Sequence, residues 1–358
     1  FPEGAERNKA LGVWGAIGAS GATVGLIAGG LLTRYAGWQY IFFLNVPIGA
    51  AALLLAPRVV PESRLATARR RYDPFGAVAV TGGLSLLVYA ISTAPQAGWG
   101  TARTVSLLAA SAALLAAFLV IETRVEAPLM PLRIFQNKTL AGANAVSVLL
   151  GGSFFAFIFI GTLYMQQVLG YSALKAGLAW LAASLTSVAF AGLSQALVTR
   201  GLAKLVMAAG MAMIGGGVLW ATQVTVHGHF WASLAGPFVI VGIGTAFAFI
   251  PVSIAALAGV AEHEAGLASG LLNTSQQLGG AIGVAIASTL AATQASTLLH
   301  QGAAPAAALT SGFQWAFWAC GLIGLAGVPV TFLLVRRNEL ATAVARTSQK
   351  PQPVPADV

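Results

Sequence analysis

Gly12–Asn45 reads GVWGAIGASGATVGLIAGGLLTRYAGWQYIFFLN, two apolar runs joined by a short turn over residues 33–37. The first run is crowded with glycine. Gly15, Gly18, Gly21, Gly25 and Gly29 recur every three or four residues, which places them within an arc of roughly 120° on one helical face. A helix bared in this way lets its backbone come very close to a neighbour. In lipid no hydrophobic drive pulls helices together, and close packing of small residues takes its place.

Composition puts the whole chain in that setting. Of 358 residues, 57% are hydrophobic and 8% charged, and the mean hydropathy is +0.81. A soluble domain carries about 25% charged residues, so the chain reads as an all-α integral membrane protein. The net charge of +9 does not point to nucleic acid, because the basic residues fall between the apolar runs. A single cysteine, Cys320, lies inside such a run and excludes an intrachain disulfide and a thiolate metal site. His227 and His229 sit close together without a third ligand, so no metal is expected. No Walker sequence and no nucleophile–base set is present; the chain is read as neither an enzyme nor a cofactor protein.

Windows of about 20 apolar residues place ten spans, at roughly 10–33, 38–56, 74–94, 104–122, 139–168, 174–198, 204–223, 231–258, 265–293 and 311–335. Threading them alternately across a membrane sorts the basic residues. One side collects 16 of the 19 Lys and Arg, leaving Arg34, Arg103 and Lys175 on the other. The positive-inside rule makes the rich side cytoplasmic, with both ends of the chain there. Trp38, Trp99, Trp220 and Trp231 fall near span ends on the poor side, where an aromatic belt sits. The connections divide the chain into residues 1–60 with two spans, residues 72–122 with a helix pair, residues 135–335 with six spans, and a polar, disordered cytoplasmic tail over residues 336–358.

The motifs resemble those of the major facilitator superfamily, and within it the fourteen-helix drug:proton antiporters of the EmrB/QacA type. That group carries a G-x-x-x-G-P-x-x-G-G motif in its fifth helix, then a tryptophan turn into I-N-V-P-I-G. Here the frame is Gly21, Gly25, Gly29 and Gly30, followed by Trp38, Asn45, Val46, Pro47, Ile48 and Gly49, with Leu26 in the place of the proline. Further matches are Pro128–Leu129, the run Gln166 to Ser172, Ala176-Gly177-Leu178, and Gly266 to Thr274. The resemblance implies a major facilitator fold with ten of fourteen transmembrane helices present, the chain being N-terminally truncated. It also implies multi-pass residence in the bacterial plasma membrane, among membrane lipid, and proton-coupled export of small amphipathic or hydrophobic drugs or antibiotics by alternating access. Proton coupling needs a titratable intramembrane group. No Asp, Glu, Lys or Arg lies in the middle of any of the ten spans, and the family's membrane carboxylate belongs to helices with no counterpart here. The alternatives are the same fold exporting a lipid, siderophore or amino acid, or a truncated membrane protein that does not transport.

Four sets of residues carry the functional expectations. Gly21, Gly25, Gly29 and Gly30 form either the antiporter seal or ordinary small-residue packing. Asn144, Phe155, Thr162 and Gln166 share a face of the fifth span; the choice is between a wall of the substrate cavity and polar residues turned from lipid. Asn273 and Gln277 lie among glycines in the ninth span, as a polar contact in the substrate path or as interhelical hydrogen-bonding groups. Arg200 and Gly201, in the turn after the sixth span, resemble a worn copy of the superfamily's cytoplasmic loop, as a latch or as a basic anchor.

Overall fold

A computed structural model of the chain describes residues 25, 28–59, 73–125, 128–258, 260 and 264–336. Gly21, most of the first span and the polar tail after Arg336 lie outside the described residues. Helix starts follow from local chemistry. Asp73 accepts a hydrogen bond from the Gly76 N–H at 2.8 Å with proline next in line, Thr101 caps Ala102–Arg124, and Asn137 accepts from the N–H groups of Thr139 and Leu140. Each satisfies donors that the first helical turn leaves unpaired.

The long helices are α1 (Gln39–Val59), α2 (Pro74–Ala97), α3 (Ala102–Arg124), α4 (Lys138–Gln167), the short α5 (Ala173–Ala179), α6 (Leu181–Leu197), α7 (Ala203–Trp220), α8 (Ala235–Leu257), α9 (Ala265–His300) and α10 (Pro305–Leu334). Helical backbone also covers residues 28–35, ahead of α1. Among the described residues, eight helical segments are long and apolar enough to cross a membrane; one of them, Ala173–Gln223, is 51 residues long and holds two of the expected spans. The break within it is Gly201, at φ 80°, a left-handed conformation that glycine adopts without strain. All four tryptophans expected at span ends are exposed.

Two boundaries differ from the hydropathy reading. α9 continues to His300, past the end of the span expected at residue 293. The added turns are polar and escape a hydropathy window, yet their backbone bonds continue and Gln294 donates to Ser311 on α10 at 3.3 Å. In the other direction, α10 starts at Pro305, where a fixed φ suits a first helical turn.

From α4 onward the helices form one bundle. α8 lies between α6 and α7, and α10 packs against α4, α7 and α9. The most extensive contact joins α4 to α9, and its chemistry is glycine against backbone. A Cβ added at Gly279 would strike the Val148 carbonyl, one at Gly283 the Gly152 carbonyl, and one at Gly151 the Gln276 carbonyl. Side chains seal the rest. Trp180 stacks on Phe238 at 4.2 Å and 21°, and Phe157 meets Trp180, Phe238 and Phe317 edge-on or tilted.

The α2–α3 pair is attached at both ends. Ser111 donates to the Gly83 carbonyl within the pair at 2.8 Å. At one membrane end the Trp99 indole N–H donates to Thr289 of α9 at 3.1 Å. At the other, the buried Glu122 carboxylate accepts from the N–H groups of Leu129 and Met130, both at 3.1 Å, and so clamps the connection into α4. In contrast, α1 has no buried residue.

Two outcomes follow from this packing. Gly279→Ala will lower the thermal midpoint of the purified protein by several degrees, reflecting about 1–3 kcal/mol of overpacking. Gly216→Ala on α7, where no described atom lies within 4 Å of the added methyl, will leave it unchanged or slightly raised; equal effects would show that the α4–α9 crossing is not tight. Glu122→Ala removes two charge-assisted hydrogen bonds, worth about 1.5–3 kcal/mol each. Amide exchange at Leu129 and Met130 will accelerate while that of the α4 core stays slow.

Candidate functional site

In the bundle α8 packs against α6, α7 and α4, and α9 against α4 and α10. The expected site residues divide into those closed within helix contacts and those left exposed.

Asn144 belongs to the first group. It is buried, its amide donates to the Leu140 carbonyl at 2.9 Å, and its oxygen accepts from Ser275 of α9 at 2.9 Å. Thr162 is likewise committed: its hydroxyl donates to Ile158 one turn back at 2.7 Å and accepts the Trp180 indole N–H at 3.0 Å. Both residues join helices. Phe155 reaches α9, where the missing side chain of Gly280 leaves room for it; a Cβ there would lie 2.7 Å from Phe155 Cδ2. Asn273 and Gln277 are exposed and hydrogen-bond to no described residue. Gly266 and Gly270, on the same side of α9, are open: a Cβ at either would meet no described atom within 4 Å. Gln166 is exposed near the end of α4.

The glycines of the leading helix behave differently from one another. A Cβ at Gly30 would lie 2.9 Å from the Leu174 Cα on α5, while one at Gly29 would meet only Ile41 of α1 at 3.9 Å, and at Gly25 no described atom within 4 Å. Among the described glycines of this helix the tight point is therefore Gly30, about 60° outside the arc of the strip, and it meets the bundle at α5. Arg200 is exposed beside the left-handed Gly201, with no hydrogen bond to a described residue.

Sequence reasoning missed several residues that shape this region. Trp180 fixes Thr162, and the buried Tyr164 hydroxyl donates to the Thr225 carbonyl at 2.7 Å, closing the end of the bundle where α4 stops. Phe154 and Phe249, partly buried on α4 and α8, meet edge-on, a contact that carries no signal in the sequence. At the basic end, Arg133 pairs with Glu264 at 3.2 Å and the Asn137 amide donates to Ala258 at 2.7 Å. Among the described residues no three His, Cys, Asp or Glu side chains gather as a metal site.

Comparison with known proteins adds a family to this geometry. The family model of the Major Facilitator Superfamily matches residues 1–284. The puromycin resistance protein of Streptomyces alboniger is 34% identical over 98% of this chain and 71% of its own length. The cephamycin export protein of Amycolatopsis lactamdurans is 36% identical over 81% of this chain and 60% of its own. The tetracenomycin C resistance and export protein of Streptomyces glaucescens is 32% identical over 82% and 54%. The chain thus spans between about half and seven-tenths of these relatives. A packed helical bundle, a family model covering most of its length and relatives that are resistance and export proteins agree: the chain belongs to the major facilitator superfamily, and within it to the drug-efflux type.

Proposed function

We propose that this protein exports drugs or antibiotics across the bacterial plasma membrane by alternating access, in exchange for protons, and that it is of the fourteen-helix group. The observation that carries the reading is the kinship with resistance and export proteins over nearly the whole chain. In this reading α6, α8, α4 and α9 form one wall of the substrate cavity, with Phe155 and the exposed Asn273 and Gln277 along it and Gln166 near its outer end. Residues 1–60 end one transporter half, residues 72–122 are the extra helix pair and residues 135–335 are the other half. The tight α4–α9 crossing and the two anchors of the pair support this division.

The end that carries Arg133, Lys138, Arg200 and Lys204 is cytoplasmic in this reading. Arg200 acts there as a basic anchor at the membrane surface, on the turn that Gly201 closes. Gly30 against Leu174 is the seal between the halves: two backbones in contact leave no channel for protons to leak. The titratable group of the exchange lies outside the described helices, since none of them carries an acidic residue at mid-membrane.

The test is transport by the full-length protein in inverted vesicles. An acidic lumen will drive uptake of an exported drug, and collapsing the pH gradient will stop it; uptake indifferent to the gradient would remove the proton-exchange claim. Gly30→Leu forces a side chain into the α5 backbone, and transport will fall by at least about tenfold, the factor for about 1.4 kcal/mol, while the protein still reaches the membrane. Normal, gradient-coupled transport by this variant would return Gly30 to ordinary packing. Profiling lipids, siderophores and amino acids in the same vesicles separates the drug reading from another cargo.

A further inference from the structure

α7 and α10 run antiparallel along a glycine seam. Lys204 donates to the Phe332 carbonyl at 2.9 Å near one end. In the middle, a Cβ at Gly215 would lie 2.6 Å from the Leu325 N, and one at Gly324 would lie 2.9 Å from the Gly215 Cα. Toward the other end Gln314 donates to the Val224 carbonyl at 2.8 Å. There the seam opens, and Thr222, Gln314, Trp315 and Trp318 line a groove of about 310 Å³. The apolar span of α10 begins near residue 311, which puts the two tryptophans about 5–10 Å inside it.

The groove is polar without being charged. Trp315 and Trp318 are about half exposed, at 54% and 49%, and their indole N–H groups bond to no described residue. Trp99 and Trp180, in contrast, donate to Thr289 and Thr162. One Gln314 N–H is committed to Val224, and its oxygen accepts from no described residue. The Thr222 hydroxyl donates to the Leu219 carbonyl at 2.7 Å and keeps its lone pairs. α10 and residues 221–234 contain no Asp, Glu, Lys or Arg, and α7 carries only Lys204 at its far end. Deeper in the membrane the seam is smooth and apolar. A Cβ at Gly216 would meet no described atom within 4 Å, and Leu322, at the same level of α10, is exposed.

At this depth a groove on the side of a membrane protein meets the headgroup and glycerol region of a lipid. Indole N–H groups there want acceptors, and phosphate and ester oxygens supply them. Indole rings attract an ammonium group, and the Gln314 oxygen can accept its N–H. Basic pockets are what hold anionic headgroups, and the residues of this groove include no base. Donors, acceptors and rings without net charge match a zwitterion.

We propose that Thr222, Gln314, Trp315 and Trp318 form a binding site for one phospholipid with an ethanolamine headgroup. The ammonium lies against the indole rings and the Gln314 oxygen. Phosphate or ester oxygens take the indole N–H groups, and an acyl chain follows the seam past Gly216 and Leu322. In the export reading this is the outer leaflet; the site itself does not depend on that reading.

The test uses the purified full-length protein, stripped of lipid and titrated with phosphatidylethanolamine or phosphatidylglycerol of identical chains, with bound lipid counted by native mass spectrometry. Wild type will hold one phosphatidylethanolamine in preference to phosphatidylglycerol. Trp318→Leu will weaken that binding by about tenfold, within the range of a desolvated ring–ammonium contact. Trp231→Leu, which removes an exposed tryptophan outside the groove, will leave it unchanged. Thr222→Lys puts a cation into the groove and will reverse the preference toward phosphatidylglycerol, an outcome that a merely structural role for the tryptophans does not produce. Equal binding of the two lipids by wild type, equal losses from Trp318→Leu and Trp231→Leu, or an unchanged preference in Thr222→Lys overturns the site. A dimer that Trp318→Leu dissociates would assign the groove to a second copy of the chain and overturn it as well. Lipid binding is read without transport, so a protein that holds the lipid but exports nothing upholds this site and overturns the export reading alone.

Discussion

The contact on which the bundle depends is glycine against backbone where α4 crosses α9. Water drives soluble helices together by expelling their apolar sides; lipid exerts no such force, and helices there hold by contact and by hydrogen bonds that have no competing water. Gly151 and Gly152 on one side, and Gly279 and Gly283 on the other, let two main chains touch. Once they do, Asn144 reaches Ser275, Phe155 reaches Gly280, and α10 settles against both helices. The polar bridge is a consequence of that approach.

The same crossing separates what is fixed from what is available. On α9, Gly279, Gly280 and Gly283 face inward and are filled by a neighbour. Gly266, Gly270, Asn273 and Gln277, about a quarter-turn round the helix, remain open. One helix thereby serves as scaffold along one stripe and leaves the next exposed, with the Asn273 and Gln277 amides on it.

Much of the architecture was legible because membrane helices must satisfy their backbones internally and be apolar outside. Hydropathy and charge place the spans and give turns such as that at Gly201 their place between helices. What failed to show were the partners. Periodicity puts Asn144 and Thr162 on one face with Phe155, but it cannot say that Ser275 and Trp180 already occupy them. A phenylalanine turned to lipid and one turned to a cavity look alike in sequence, so Phe154 and Phe249 carried no signal until their rings were placed. Of the motif glycines that are described, Gly30 makes the tight approach, to Leu174, while Gly25 and Gly29 have room; spacing alone does not rank them.

The 36 residues of α9 amount to about 54 Å at the usual rise, against about 30 Å of hydrocarbon. A tilt absorbs only part of that excess. The final turns, rich in Thr, Gln and Ser, are the polar part of that length, and their bond to Ser311 of α10 holds the short turn into α10 on a paired helix end.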